Sequence, residues 1–524
     1  MDKKQMKKTV LLIFLVTLPV FAQNAGEKLS YHNIRTDDSG NILPWYSDDP
    51  AVSYDHIVNI VWNFWDKMRT DMNGLVYHMN HQVWKKEYND RRGIGGDQVA
   101  MALSSWRLYY QYTGSPQVIE NMKFMADYYL THSLSPHNYD WPDVPYPYNM
   151  LTYSGVYDGD MIMGKGYTQP DKAGSFGYEL VNLYKITGKA EYLDAAVKIA
   201  NTLAAHTKDG NANDSPLPFR VNAETGETGS LKSGDTLDIK YSYTSNWTGT
   251  MMLFTSLTEL GKGNTAEYKT AFNKILLWMK NYPLKTNKWG PFFEDVAMWS
   301  DTQINAGTFA KYIIDNPDLF PDWKKESRGI LDWIYKELGN DKWLKYGVKA
   351  VNEQTDYRVP GNSHTARQGS VELLYASKTG DEQSRADGIR QLTWATYMVN
   401  DDGENTYPNN ETWMTDGYGD YIRHYLRAMQ SYPELSPAGQ NHLLESSSVV
   451  KFITYDKAKI IYETFDNAST EVLRLAKKPV KVFAGNIQFN EAAAGDNYWK
   501  WTSYPDGGVL TVVHNSNVKI NIEF

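Results

Sequence analysis

Three stretches of the 524-residue chain carry the residue types that do chemistry. The first is Gly93-Ile94-Gly95-Gly96-Asp97, where glycines let a backbone approach a ligand closely and a carboxylate follows at the start of a helical pattern. Aspartate there also serves as a helix N-cap. The second is the loop from Asn138 to Asp171. It interleaves Asp140, Asp143, Asp158, Asp160 and Asp171 with Trp141, Tyr146, Tyr148, Tyr153, Tyr157 and Tyr167. Carboxylates set among aromatic faces suit a sugar subsite with an acid or base beside it; the alternative is a solvated acidic loop. The third is Gly361–Gly369, GNSHTARQG, in which His364 and Arg367 stand three apart and so share a helix face. Arg367 can grip a carboxylate with both arms of its fork, and His364 can exchange a proton near neutral pH. Against this, Ser363 caps a helix well and its neighbours can simply face solvent. Asp301 and Asp416 also stand at helix starts, where caps are commoner than catalysts.

Other chemistries find no support. His78 and His81 form H-x-x-H without a third metal ligand. Asp158-Gly159-Asp160 lacks the remaining spacing of a calcium loop. No serine-nucleophile motif or phosphate loop appears, and Gly93–Gly96 does not fit a dinucleotide fingerprint. The chain contains no cysteine, which removes disulfides, thiolate metal ligands and thiol nucleophiles. No cofactor or metal is expected.

A repeated helical hairpin must position these residues. Tyr178–His206 reads as one helix ending at Thr187-Gly188 and a second beginning near Ala190, with Leu193, Ala196, Val197, Ala200, Leu203 and Ala204 on one apolar face. Gly188 stands where a helix end takes a left-handed residue. The pattern recurs at Tyr109–Gly114, Leu257–Gly263 and Leu374–Gly380, and without the glycine at Phe309–Leu319. Gly114, Gly188 and Gly263 are spaced 74 and 75 residues apart, as one repeated unit would be. With a first helix at 54–69, the count reaches twelve, near 97–112, 116–133, 172–187, 189–206, 245–260, 265–281, 302–315, 322–338, 364–378, 383–399 and 417–430. The expected fold is mainly α: an (α/α)6 barrel of six helical hairpins over residues 54–440. Its long connections, 134–171, 207–244, 282–301, 339–363 and 400–416, fall on one face and lead into inner-helix N-termini. Residues 23–53 read as an N-terminal surface segment. From 445 to 524 the pattern turns to short alternating strands, Val449–Thr454, Lys459–Thr464, Val472–Leu475, Val480–Ala484 and Gly508–His514, a small sandwich-like β domain.

Residues 1–22 read as a signal peptide, with Lys3, Lys4, Lys7 and Lys8 before an apolar run and Val20-Phe21-Ala22 at the cleavage site. No cysteine follows for lipidation, so the expected address is periplasmic or secreted, with no membrane anchor after cleavage. The net charge is −9, and the segment removed carries four Lys and one Asp, so the remainder lies near −12. That balance argues against nucleic acid and anionic membranes as partners. The chain has 17 Trp and 38 Tyr, flat faces with polar edges that suit an oligo- or polysaccharide.

The L-Y-x-x-T-G-x-x-x-Y hairpins, aromatic loops, Asp-led inner helices and β tail resemble the six-hairpin glycosidase superfamily over about residues 54–430, especially secreted proteins of glycan-degrading Bacteroidetes. The resemblance implies catalytic aspartates near inner-helix starts: Asp97 in one hairpin, Asp160 or Asp171 in the next. The resulting expectation is a glycoside hydrolase acting on a uronic-acid-containing glycan. Asp97 protonates the leaving oxygen, Asp160 activates water, and His364 stands by as a further acid or base. Arg367 and Lys172 hold the substrate carboxylate, Trp141 and Trp247 stack on sugar, and Tyr148, Tyr153, Asn362 and Trp413 complete the subsite. Some lyases of this barrel use an Asn/His/Tyr/Arg set, which Asn362, His364 and Arg367 partly resemble with Tyr153 or Tyr157. A non-catalytic glycan-capture protein is the remaining alternative. Epimerases share the fold, but a signal peptide argues against a cytoplasmic one.

Overall fold

The computed structural model describes residues 27–68, 70, 74–79, 96–151, 154–233, 237–293, 296–408 and 416–524, and the side chains at 96, 97, 233, 237, 416 and 417 fall outside the description. Residues 1–22, Tyr153 and Trp413 therefore lie outside the described residues.

Twelve helices of ten or more residues are present among the described residues: α1 Pro50–Asp66, α2 Gly96–Thr113, α3 Pro116–Ser133, α4 Pro170–Thr187, α5 Ala190–His206, α6 Thr248–Glu259, α7 Thr265–Asn281, α8 Gln303–Asp315, α9 Trp323–Glu337, α10 Asn362–Thr379, α11 Glu382–Thr396 and α12 Ile422–Ser431. The even-numbered helices form a closed inner ring in which each packs on the next and α12 returns to α2. The odd-numbered helices lie outside. Five hairpins are sequential, from α2–α3 to α10–α11, and the sixth joins the chain's two ends, with α1 the outer partner of α12. This is the (α/α)6 barrel.

Local chemistry sets the helix limits. At the α4–α5 turn Gly188 takes a left-handed φ of 71° and its N–H reaches the Tyr184 carbonyl. The buried stripe of α5 is Tyr192, Leu193, Ala196, Ile199, Ala200 and Leu203, while Val197 and Ala204 are only half-buried at its edges. α1 starts four residues before the predicted Tyr54, because Pro50 pre-sets the first turn and the Asp49 side chain accepts from the Ala51 N–H.

Two glycines set how closely the inner helices approach. A Cβ on Gly249 of α6 would stand 2.7 Å from the Ser175 Cα of α4, and one on Gly174 would stand 3.0 Å from the Thr250 Cα. Gly249→Ala must push α4 and α6 apart. It is expected to cost about 1–3 kcal/mol, read as a lower melting temperature in calorimetry.

Nine strands follow the barrel: β1 His442–Ser446, β2 Val450–Tyr455, β3 Lys459–Thr464, β4 Ser469–Leu475, β5 Lys481–Ala484, β6 Ile487–Glu491, β7 Tyr498–Ser503, β8 Gly508–His514 and β9 Lys519–Glu523. They bond in the order β1-β4-β8-β7-β6-β5-β9-β3-β2, and only β6–β7 is parallel. Each half turns an apolar face inward, with Leu473, Leu510 and Val512 in one half and Ile460, Tyr462, Ile520 and Ile522 in the other. The sheet covers the C-terminal ends of the inner helices: Gln111 of α2 donates to the Leu444 carbonyl at 2.8 Å, and the His442 ring stacks on Tyr112 at 3.7 Å. The opposite face, where inner helices begin, is left to the long loops. No helix among the described residues is long and apolar enough to cross a membrane.

Candidate active site

The first turns of the inner helices gather buried polar side chains at the barrel mouth. Asp171 and Lys172 open α4, Asn246 precedes α6, Gln303 and Asn305 open α8, and Asn362, His364 and Arg367 open α10; Asp420 stands just before α12. One oxygen of Asp171 accepts from the Asn246 amide at 2.9 Å and from Lys172 Nζ at 3.2 Å. Its other oxygen is buried with no hydrogen-bond partner among the described residues. Gln303 Nε2 and Asn305 Oδ1 at the start of α8, and Gln354 Oε1 on the segment bridged to Thr302, are likewise unpartnered. Buried polar atoms are normally satisfied, so several together mark a place built for something other than packing.

A loop dips into this mouth. The Asn305 amide donates to the Trp289 and Gly290 carbonyls at 3.0 and 3.1 Å, Thr244 Oγ1 to the Pro291 carbonyl at 2.7 Å, and Lys172 to the Phe292 carbonyl at 2.7 Å. Asp301 accepts the N–H groups of Trp289 and Gly290, so it caps this loop and not a helix. Phe292 is carried onto Met101 and Ile304, and Phe293 packs 5.6 Å from the His364 ring.

On the other side Arg367 donates to Gln303 Oε1 at 2.6 Å and to Asp420, which also accepts from Arg423. Burial alone would raise the Asp420 carboxyl, but Arg367, Arg423 and His424 overcome it and hold the pKa well below the ordinary 3.8. His364 has no exposed surface, and its Nδ1 lies 3.4 Å from Ser363 Oγ and 3.5 Å from the Tyr407 hydroxyl. Burial first and Arg367 second push its pKa well below 6.5, so the ring is neutral at pH 7. Among the described residues no three His, Asp or Glu side chains gather as a metal-ligand set.

Several sequence expectations change here. Asp160 is wholly buried: it accepts from the Ile162 and Met163 N–H groups at 2.8 Å each, from Gln169, and from Arg220 Nε at 2.9 Å. It locks the loop ahead of α4 and has no oxygen left for a water. Trp141 lies flat on His206 at 4.1 Å with 3% exposure, and Trp247 is wholly buried with its indole N–H on the Thr244 carbonyl. Neither offers a face to a sugar. Tyr148 is buried against the backbone of Gly159, and Asn362 against Asn405 and the Ser363 N–H. Lys172 and Arg367 do reach the mouth, but each already faces a carboxylate, Asp171 and Asp420. His78 stacks on Trp65 at 4.3 Å, and His81 lies outside the described residues. The Asp97 backbone opens α2 at the mouth; its side chain is outside the description.

Asn246, Gln303, Phe292, Tyr407 and Asp420 were not read as site residues. Gln303 occupies the same first-turn position as Asp171 and Asn362, and that rule alone finds it. Phe292 and Tyr407 arrive on long loops, for which no spacing rule exists.

No protein-family model matches the chain, and no curated protein matches it. Solved structures do. The cellobiose 2-epimerase of Bacillus thermoamylovorans is 15% identical with a TM-score of 0.55, over 72% of this chain and 98% of that one. The cellobiose 2-epimerase of Spirochaeta thermophila is 13% identical with a TM-score of 0.52, over 73% and 96%. A D-mannose isomerase is 11% identical with a TM-score of 0.51, over 73% and 97%. The chain has the six-hairpin (α/α)6 fold, and at these identities the likeness speaks for the fold alone.

Proposed function

We propose that this chain is an exported carbohydrate-active enzyme working at the barrel mouth, a glycoside hydrolase acting on a uronic-acid-containing oligo- or polysaccharide. The observation that carries this reading is the buried Asp171 carboxylate, one oxygen fixed by Lys172 and Asn246 and the other unpartnered. The Lys172 ammonium and the N-terminus of α4 stand beside this carboxylate, which is placed to activate water. Asp97, at the start of the neighbouring inner helix, is the proposed general acid. Lys172 and Arg367 supply the positive potential for an acidic sugar. Structural neighbours that include cellobiose and mannose enzymes support sugar as the ligand class.

One observation favours a second reading. The neutral His364 stands 3.5 Å from Tyr407, with Asn362 and Arg367 on the same helix start. That set suits a lyase, in which His364 takes the proton α to the carboxylate and Tyr407 protonates the leaving oxygen. Tyr407 replaces Tyr157, whose hydroxyl is spent on the Met79 carbonyl in the core. Incubation with uronic-acid polysaccharides separates the readings. New reducing ends without ultraviolet absorbance support hydrolysis. Absorbance of a new C=C bond that rises with cleavage and vanishes in His364→Ala supports the lyase. Binding with no product from any glycan means capture.

A further inference from the structure

Beneath the mouth the barrel axis holds a second feature that the proposed reaction does not use. Met101, Phe292 and Ile304, at 6%, 2% and 3% exposure, form an apolar layer across the barrel. Below it lies a cavity of about 340 Å³ lined by all six inner helices, with Glu445 and Ser446 of β1 on its far wall. That is the lower end of the size range of small-molecule sites.

The lining is unusually cationic for the interior of an acidic protein. Arg107 of α2, Lys311 of α8, Arg367 of α10, and Arg423 and Arg427 of α12 all face it. Most of these charges are answered. Arg107 pairs with Glu179 at 3.3 Å, and Lys311 pairs with Asp315. Arg367 and Arg423 share the single carboxylate of Asp420. Arg423 also donates to Ser104 Oγ at 3.2 Å, yet its Nε has no partner among the described residues. Arg427 has neither a hydrogen bond nor an ion pair there. The remaining carboxylate on the wall, Glu445, is raised in pKa by burial and makes no hydrogen bond or ion pair to Arg427 among the described residues.

Arg427 is half-buried, and a guanidinium without a protein partner on a cavity wall is open to an anion. For Arg427, burial first and Arg423 second bring the pKa down to about 9, which still leaves the guanidinium protonated at pH 7. Asp420 and Asp315 favour the charged form, so the guanidinium meets whatever the cavity holds as a cation. A guanidinium presents a planar fork of N–H donors that matches two oxygens of one oxyanion.

We propose that this cavity is an oxyanion site, in which Arg427 grips a carboxylate or sulfate, free or borne on a single sugar, with Arg423 and Arg107 as flanking cations. Access is from the sheet end, where the Asp315 side chain is 40% exposed at the C-terminus of α8, because the Met101–Phe292–Ile304 layer closes the mouth side. The cavity shares Asn246 and Arg367 with the mouth, but Arg427 itself has no part in the reaction proposed at Asp171.

The test uses the full mature chain, with binding calorimetry and thermal melts at fixed ionic strength. The probes are sulfate, D-glucuronate and D-glucose. Wild type is expected to bind and be stabilised by an oxyanion but not by glucose. Sulfate binding shows that the free ion suffices; glucuronate binding without sulfate binding shows that the sugar carries it. Arg427→Met is expected to weaken binding by roughly 30-fold or more. Arg427→Lys keeps the charge without the fork and should fall between. Wild type that binds neither anion, or Arg427→Met that binds as wild type does, overturns the proposal.

Discussion

Asp171→Asn is expected to lower kcat by about 10²–10⁴-fold, the usual range for losing a positioned base, with KM little changed. The substitution keeps the shape and the hydrogen bond to Asn246 but removes the negative oxygen that faces the mouth without a partner. Lys172 then faces a neutral amide oxygen in place of a carboxylate, so a modestly lower melting temperature accompanies the loss of turnover. Asp171→Glu, which restores the charge a carbon further out, should recover part of the rate. Steady-state kinetics on whichever uronic-acid glycan the enzyme cleaves provides the measurement. Asp171→Asn turning over at the wild-type rate would remove Asp171 from the mechanism, and the lyase set around His364 would become the leading reading.

The largest effect on stability is expected at Asp420. This carboxylate has no exposed surface and answers both Arg367 and Arg423, with His424 close by at 3.4 Å. Asp420→Ala leaves two buried guanidiniums without their shared counter-charge and should cost about 3–5 kcal/mol. Urea unfolding should show a lower midpoint with an unchanged slope. The sign of the pH dependence follows from the depressed folded-state pKa. The unfolded carboxyl binds its proton first, near 3.8, so this contribution is complete above that value and is lost as pH falls toward the lower folded value. Asp420→Asn should therefore flatten the acid limb of the stability curve below pH 3.8. His364 and His424 act in the same direction at higher pH. Both are held neutral by burial, so stability declines as pH drops below the 6.5 at which the unfolded rings take up protons.

The helices and the ring were legible because their signals are local. Gly188 ends α4 through its own φ, and the spacing of Leu193, Ala196, Ala200 and Leu203 states which side of α5 is buried. The site was legible only in part, because its distinctions are not local. Asp160 and Asp171 look alike in sequence. What separates them is Arg220, 60 residues further on, which takes Asp160 into the protein interior. Trp141 and Trp247 were read as sugar platforms because composition cannot tell an aromatic that packs from one that waits for a ligand. Both proved to be core, as most aromatics are when a large barrel must be filled. The mouth loop is the extreme case: Phe292 is placed by Lys172 acting on its own carbonyl and by Thr244 and Asn305 acting on those of Pro291 and Trp289, from three separate parts of the chain.

The joining of the barrel's last hairpin from its two ends bears on how the molecule is made. The α1 stripe of Ile57, Val58, Val61, Trp62 and Trp65 is among the first structure to be synthesised, yet α12 begins at residue 422. At typical rates of about 5–20 residues per second, α1 waits on the order of 20–70 s for that partner. Throughout that interval a nascent chain carries a sticky apolar helix and an open ring. Until Tyr54 reaches the Ile389 carbonyl, 335 residues away, the interior remains accessible to water and to neighbouring chains. Assembly of this protein is thus a one-way race to close a circle, and a holding chaperone that covers α1 should raise the yield of active enzyme more than any change within the later hairpins.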